Sequence, residues 1–211
     1  MNPMLTRRTA LFAFATLTTA LAGRAALAQE AAGQSIDAAS ARAFVKSTGD
    51  KLVAVVNGNE ATAGKRAALT RIIDQAVDVN GVAKFCLGRF WRQATPAQQS
   101  QYITLFHQVL VTSISAKLGE YKGVTFKVTR TVPRDGAAVV ETELDRPQNP
   151  PATVQWVIGD VDGSPRIVDV IAEGTSLRLT QRSDYASYLT RNNNSIAALI
   201  AAMKKQVEQN G

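Results

Sequence analysis

The chain has 211 residues and a formal net charge of +7, with 45% hydrophobic and 19% charged residues. This size and composition are typical of one sizeable globular domain or two small ones, and they exclude an intrinsically disordered chain. The sequence contains no run of five or six Lys or Arg residues, which argues against a nucleic-acid-binding protein.

Residues 1–28 have the three parts of a secretory signal peptide. Arg7 and Arg8 form a positive start, residues 10–22 form an apolar run, and residues 26–28 (Ala-Leu-Ala) form a cleavage site of small residues. The run has 13 residues, whereas a helix that spans a bilayer needs about 20. We therefore expect cleavage after Ala28, one mature domain over residues 29–211, and export to a bacterial periplasm. The paired arginines leave the general secretory and twin-arginine routes both open.

Apolar residues at helical spacing predict four helices in the first half of the mature chain. The first begins at Ser35 or Asp37 and stops at residues 57–59 (Asn-Gly-Asn), and the second covers about 65–77. Asp78 caps a third helix that ends at Gly88. Residues 95–98 (Thr-Pro-Ala-Gln) are typical of a capping box and open the longest helix, whose apolar face is wide enough to lie across a sheet.

From residue 124 the apolar pattern changes to alternation, which is typical of strands. Alternating segments near residues 124–129, 139–144, 154–158 and 167–171 are separated by turns at 133–136 and 162–163 and by a proline-rich break at 147–151. They predict a four-stranded antiparallel meander that ends at residues 173–176. Two helices follow, the second capped by Ser195, so the element order predicts an α+β domain.

Few residues are suited to chemistry. The single histidine, His107, has no accompanying nucleophile motif, and the single cysteine, Cys86, lies in an apolar run where it packs as a small hydrophobe. One histidine and one cysteine do not make a usual zinc site. Asp169 follows apolar residues and needs a cationic partner, which Arg182 or Arg89 can supply. We expect no catalytic residue, no metal and no cofactor.

Several segments resemble the MlaC/Ttg2D (toluene tolerance) family, over about Phe44 to Met203. The most specific segment spans Asp78 to Gln98 and contains the run AKFCLGRFWR at residues 83–92. The downstream segments occur in the family's order: Leu105-Phe106, Tyr121-x-Gly123, Asp169-Val170, Glu173-Gly174-x-Ser176-Leu177 and Arg182-Ser183. The sequence departs from the family pattern at Pro165, where an aromatic residue is usual, and at Phe90, Trp156 and Tyr185.

The resemblance implies a cone-shaped fold related to NTF2, with a deep apolar cavity for acyl chains. It implies a periplasmic phospholipid carrier that exchanges lipid with an inner-membrane ABC transporter complex, which includes a substrate-binding subunit, and with an outer-membrane lipoprotein complex. One subgroup is associated with hopanoid lipids, so a hopanoid or another apolar lipid is the alternative ligand. The resemblance points to no enzyme activity and no metal.

We expect the cavity to be lined by apolar residues of the long helix and of the strands. The predicted lipid-binding residues are Leu105, Val109, Phe126, Val140, Trp156, Ile158, Val168 and Val170. Two functions from other classes remain as alternatives: a hydrolase that uses His107, and an interaction domain that binds no lipid.

Overall fold

The computed structural model describes residues 36–147 and 149–210. The predicted signal peptide, residues 1–28, lies outside this range. In chain order the helices and strands are α1 (Ala38–Asn57), α2 (Thr62–Ala76), α3 (Val79–Leu87), a 3-10 helix (Gly88–Gln93), α4 (Pro96–Lys117), a second 3-10 helix (Leu118–Tyr121), β1 (Thr125–Arg134), β2 (Ala137–Arg146), β3 (Asn149–Val161), β4 (Ser164–Ala172), β5 (Thr175–Ser176), α5 (Leu177–Arg191) and α6 (Ile196–Asn210).

Capping side chains mark the starts of α1, α3 and α4 as predicted, whereas α2 begins at Thr62, before the expected residue 65, with no side-chain cap. The Asp37 carboxylate accepts hydrogen bonds from two backbone amides at the start of α1. The Asp78 carboxylate accepts one from Gly81, 2.9 Å away. Thr95 and Gln98 form the reciprocal capping box that opens α4, because each side chain bonds the backbone amide of the other.

The strands form one antiparallel sheet in the order β1-β2-β3-β4-β5. The predicted α+β class and antiparallel sheet are confirmed, but the described residues contain five strands where four were expected. Residues 173–176 do not simply end the sheet. Glu173 and Gly174 both adopt positive φ, at 50° and 79°, which is typical of a type I′ hairpin turn. This turn folds Thr175–Ser176 back onto β4 as a short fifth strand.

Helix α1 covers one face of the sheet. Its apolar residues form a cluster with strand residues that point to this face. The buried members, which include one residue before α1 and the last residue of α2, are Ile36, Ala41, Val45, Ala76, Ala138, Val140, Ile158 and Ile167. At the middle of α1, Gly49 faces Phe126 so closely that a Cβ at position 49 would overlap the phenyl ring. The absence of a side chain at Gly49 therefore sets how near the helix lies to the sheet.

Both ends of α1 are also bonded to β1 and the segment before it. The Arg42 guanidinium donates to the carbonyl of Val128 over 3.1 Å. At the other end, the Asn57 side chain donates to the carbonyl of Val124 and accepts from the amide of Gly123. These bonds fix the direction of the helix along the strand as well as its distance from it.

The broad apolar face of α4 packs on other helices, and the expectation that this face lies across the sheet is wrong. Tyr102, Leu105, Phe106 and Val109 form a second cluster with residues of α3, α5 and α6. Val111, on another side of α4, packs against Leu69 and Ile73 of α2. Because α1 already occupies the sheet face, α4 buries its apolar surface in a helical layer.

We predict that Gly49→Ala destabilises the protein by about 1–3 kcal/mol, because the new methyl group must displace Phe126 or push α1 away from the sheet. Denaturant unfolding measures this difference. Gly119→Ala is the matched control, since a Cβ there meets no atom within 4 Å and the substitution has the same effect on unfolded-chain entropy. Equal unfolding midpoints for the two variants would show that the close approach at Gly49 does not limit the size of the residue at this position.

Candidate functional site

The structure brings five of the eight predicted lipid-binding residues together on the sheet face that α1 covers. Cross-strand partners share a face, and Trp156 of β3 lies between Val140 of β2 and Val170 of β4. Phe126 of β1 and Ile158 of β3 belong to the same cluster. The side chains of four strands therefore converge on one apolar surface.

This surface has a closed floor and a partly open rim. Val140 and Ile158 are fully buried. Phe126, Trp156 and Val170 are only half-buried, as are Phe44 and Val128 beside them. We call these five half-buried residues the apolar rim. Their exposed area is apolar surface that an acyl chain can cover without displacing the packed floor.

Trp156 is held in place by a residue that sequence reasoning did not assign to the site. The indole Nε1 donates to the hydroxyl of Thr142 over 2.9 Å, and this hydroxyl donates to the carbonyl of Val154 over 3.1 Å. Thr142 is completely buried. Strand alternation placed Thr142 on the same face as Val140, but a period-two pattern does not show hydrogen bonds. The bonded pair gives Trp156 a fixed orientation.

Val168 lies apart from that cluster. The pairing of β3 with β4 shifts between Val157 and Ile158, so that Val168 is the extra residue of a bulge with no partner in the register. Its side chain lies beside Gly159, where a Cβ would come within 3.2 Å of it. Its role in lipid binding stays a prediction.

Leu105 and Val109 lie in the helical cluster rather than with the strand residues. Their surroundings include three aromatic rings, of Tyr102, Phe106 and Tyr185, whose centres are 6.0–6.5 Å apart. The Tyr102 hydroxyl donates to the carbonyl of Ala83, and burial raises the pKa of this phenol well above its usual range. Lipid contact by Leu105 or Val109 would require a cavity that reaches this packed layer.

A groove of about 460 Å³ leads to the helical cluster between α5 and α6. Its apolar lining includes Tyr185, Leu199 and Met203, which are buried members of that cluster. A second cavity, of about 510 Å³, lies on α2 and is lined by Arg66 and small residues. Neither is lined by any of the eight predicted residues, so the cavity expected along the strands stays a prediction.

Asp169 is the centre of a buried polar cluster at the junction of β4, β5 and α5. One carboxylate oxygen accepts from the amides of Val170 and Arg178, and the other accepts from the Ser176 hydroxyl over 2.6 Å. The Arg178 Nε lies 3.3 Å from the same carboxylate. The predicted partners, Arg182 and Arg89, are wrong. Arg178 lies one helical turn before Arg182, at the start of α5, and β5 brings this end of the helix back beside β4.

The single histidine and the single cysteine of the chain both have structural surroundings. His107 Nε2 lies 2.8 Å from the Asp74 carboxylate and so ties α4 to α2. The Cys86 thiol is buried in the helical cluster and faces the carbonyl of Arg178 at 3.5 Å. Burial raises the pKa of this thiol to about 12, and the nearby Arg178 charge opposes the increase only in part.

Residues 36–147 and 149–210 contain no group of three His, Cys, Asp or Glu side chains close enough to hold a metal ion. In the same range, no helix combines the length and hydropathy needed to cross a bilayer.

Comparison with known proteins identifies the family. The sequence model of the MlaC protein family matches residues 46–205. The chain belongs to the MlaC family. It is 26% identical over 131 residues to the toluene tolerance protein Ttg2D of Pseudomonas putida, a match that covers 61% of each protein. The chain thus spans less than two thirds of the length of that relative.

A solved structure shares the fold of this MlaC-family protein. It is a phospholipid-binding protein from Ralstonia solanacearum, in complex with a phospholipid. The two structures superpose with a TM-score of 0.69 at 21% sequence identity, over 80% of this chain and 97% of the other. The expected family membership and α+β architecture are therefore confirmed.

We predict that the Cys86 thiol does not react with thiol reagents in the folded protein at pH 8. With its pKa raised to about 12 by burial, the thiolate that such reagents require is scarce at this pH. Labelling with a chromogenic disulfide should proceed only as fast as the protein unfolds, and should be complete in denaturant. Rapid labelling of the native protein would contradict this prediction.

We predict that Asp169→Asn lowers the free energy of unfolding by about 1–3 kcal/mol, because the buried cluster loses its charge opposite Arg178. Asp160→Asn is the matched control. Its exposed carboxylate accepts one amide hydrogen bond, from Gly163 in a turn, and a neutral amide oxygen can replace it. Chemical denaturation of both variants checks the prediction, which fails if they lose the same stability.

Proposed function

We propose that this protein is a carrier that binds phospholipid acyl chains against the apolar rim and performs no chemical step. The observation that carries the proposal is the half-buried surface formed by Phe126, Trp156 and Val170 over the closed floor of Val140 and Ile158. A protein of the same fold binds a phospholipid, which supports the same class of ligand for this chain.

The energetics of lipid transfer support a site of this kind. Burial of each methylene group is favourable by about 0.8 kcal/mol, so a two-chain lipid leaves a bilayer only for a comparably apolar environment. The strands supply that environment on a face where α1, fixed at both ends and at Gly49, provides a firm opposite wall. A hopanoid has the same apolar character and is the alternative ligand.

We further propose that the carrier works in the periplasm between two membrane complexes. Residues 1–28 have the pattern of a cleaved export signal. Resemblance to the MlaC/Ttg2D family supports an inner-membrane ABC transporter complex, with its substrate-binding subunit, and an outer-membrane lipoprotein complex as partners. The carrier would take up lipid at one complex and release it at the other.

Mass spectrometry of organic extracts tests the ligand class directly. Protein purified without detergent should release phospholipid at close to one molecule per chain, or should take it up from vesicles. Recovery of a hopanoid instead would select the alternative ligand. If no lipid is bound and none can be loaded, the protein is not a carrier.

Photo-crosslinking tests the position of the site. We predict that a benzophenone side chain forms lipid adducts when it replaces Trp156 or Val170, which face α1. The matched control is Ile171, the next residue of β4, whose side chain points to the opposite face of the sheet. The same probe at Leu105 and Val109 shows whether the chains also reach the helical cluster. Adducts at Ile171 with none at Trp156 or Val170 would place the lipid on the wrong face for this proposal.

A further inference from the structure

The family-specific segment Asp78–Gln98 has an exposed side that the proposed carrier function does not use. Three cations of this segment lie on α3 and the following 3-10 helix, and two more lie on the first two turns of α5, which packs against α3. We call these five residues the basic patch; they are Lys84, Arg89, Arg92, Arg178 and Arg182.

Aromatic rings hold the basic patch together. The guanidinium carbons of Arg178 and Arg182 lie 4.5 and 4.9 Å from the centre of the Phe85 ring, and the Lys84 ammonium lies 5.5 Å from the centre of the Trp91 ring. Phe85 thus receives two cations from a different helix. These contacts orient the side chains while leaving their positive charges in place.

Little negative charge opposes the patch. Within the described residues, Arg178 is the only member of the patch with an acidic partner in an ion pair, and that partner is the buried Asp169. Asp78 accepts a hydrogen bond as the cap of α3. Asp184 lies in the groove between α5 and α6. Four cations therefore remain available to an external anion.

Two exposed leucines lie on the same helix as Arg178 and Arg182. Leu177 and Leu179, in the first turn of α5, are 51% and 57% exposed. Leu179 lies three residues before Arg182, so the two share one side of the helix. A single exposed leucine is ordinary on a protein surface. An exposed leucine on the same side of a helix as an unneutralised arginine is instead typical of helices that lie in a membrane interface.

We propose that the basic patch, with Leu179, docks the protein onto the surface of an anionic phospholipid bilayer. Its long cationic side chains suit an array of mobile phosphate groups, and Leu179 can enter the boundary between headgroups and acyl chains. Arginine is also enriched at protein interfaces, so binding that requires an added protein is one outcome of the test below. The inference does not depend on the proposed lipid cavity.

Helix α5 carries both part of the basic patch and one wall of the groove described above. Helix α5 carries Arg178, Arg182 and Leu179 in its first two turns, and its later residues Tyr185 and Tyr188 line the groove toward α6. The groove therefore opens from the same helix that contacts the bilayer.

Vesicle co-sedimentation tests the proposal with the purified protein. Wild-type protein should sediment with vesicles that contain phosphatidylglycerol, weakly with pure phosphatidylcholine vesicles, and less as salt is raised. Arg89→Gln with Arg182→Gln should reduce partitioning about 25-fold, from about fivefold per cation near the surface. Leu179→Asn should reduce the binding that persists at high salt.

The control is Arg130→Gln with Arg134→Gln, which removes the same charge from β1, at the opposite edge of the sheet from β5 and α5. It should retain binding. Lipid content by mass spectrometry should be unchanged in both double variants, which separates this proposal from the carrier function. Absence of vesicle binding by the wild type, or equal losses in the two double variants, would overturn the proposal, as would binding that requires an added protein.

Discussion

The close contact between α1 and the sheet is the constraint on which the rest of the structure depends. Gly49 allows the helix backbone to approach Phe126, and the bonds of Arg42 and Asn57 fix the two ends of the helix along β1. With α1 in this position, the floor of Val140 and Ile158 is sealed. Because that face is then occupied, the remaining helices must bury their apolar surfaces against one another.

The apolar interior is consequently divided into a sheet cluster under α1 and a helical cluster around α4. The two clusters differ in how tightly they are closed. The helical cluster is built from interlocking aromatic rings and a buried Tyr102 hydroxyl, features that favour one rigid arrangement. The sheet cluster keeps half-buried Phe126 and Trp156 at its rim, so a ligand that bound there would require less repacking than one that bound in the helical layer.

Sequence patterns gave the helix starts and the antiparallel meander because both depend on neighbouring residues, such as the Thr95–Gln98 box and the alternation around Val140. They did not give the partner of Asp169, because that partner depends on the turn at Glu173–Gly174. The turn returns the chain to β4 and so places Arg178 beside Asp169, rather than Arg182, which lies one helical turn later. The Thr142 bond to Trp156 and the bulge at Val168 were missed for a similar reason, since both depend on strand register. Apolar periodicity likewise showed that α4 is buried, but not against which layer.

The segment Asp78–Gln98 shows how one motif can serve the core and the surface together. Its helical period turns Ala83, Cys86, Leu87 and Phe90 into the interior, where Gly88 provides the positive φ that joins α3 to the 3-10 helix. The same period turns Lys84 and Arg89 outward. The inward residues determine where α5 packs, and α5 in turn places Arg182 over Phe85. The buried packing surface and the exposed basic surface are thus consequences of the same helical spacing. Substitution of the inward residues would therefore also change the positions of the cationic side chains.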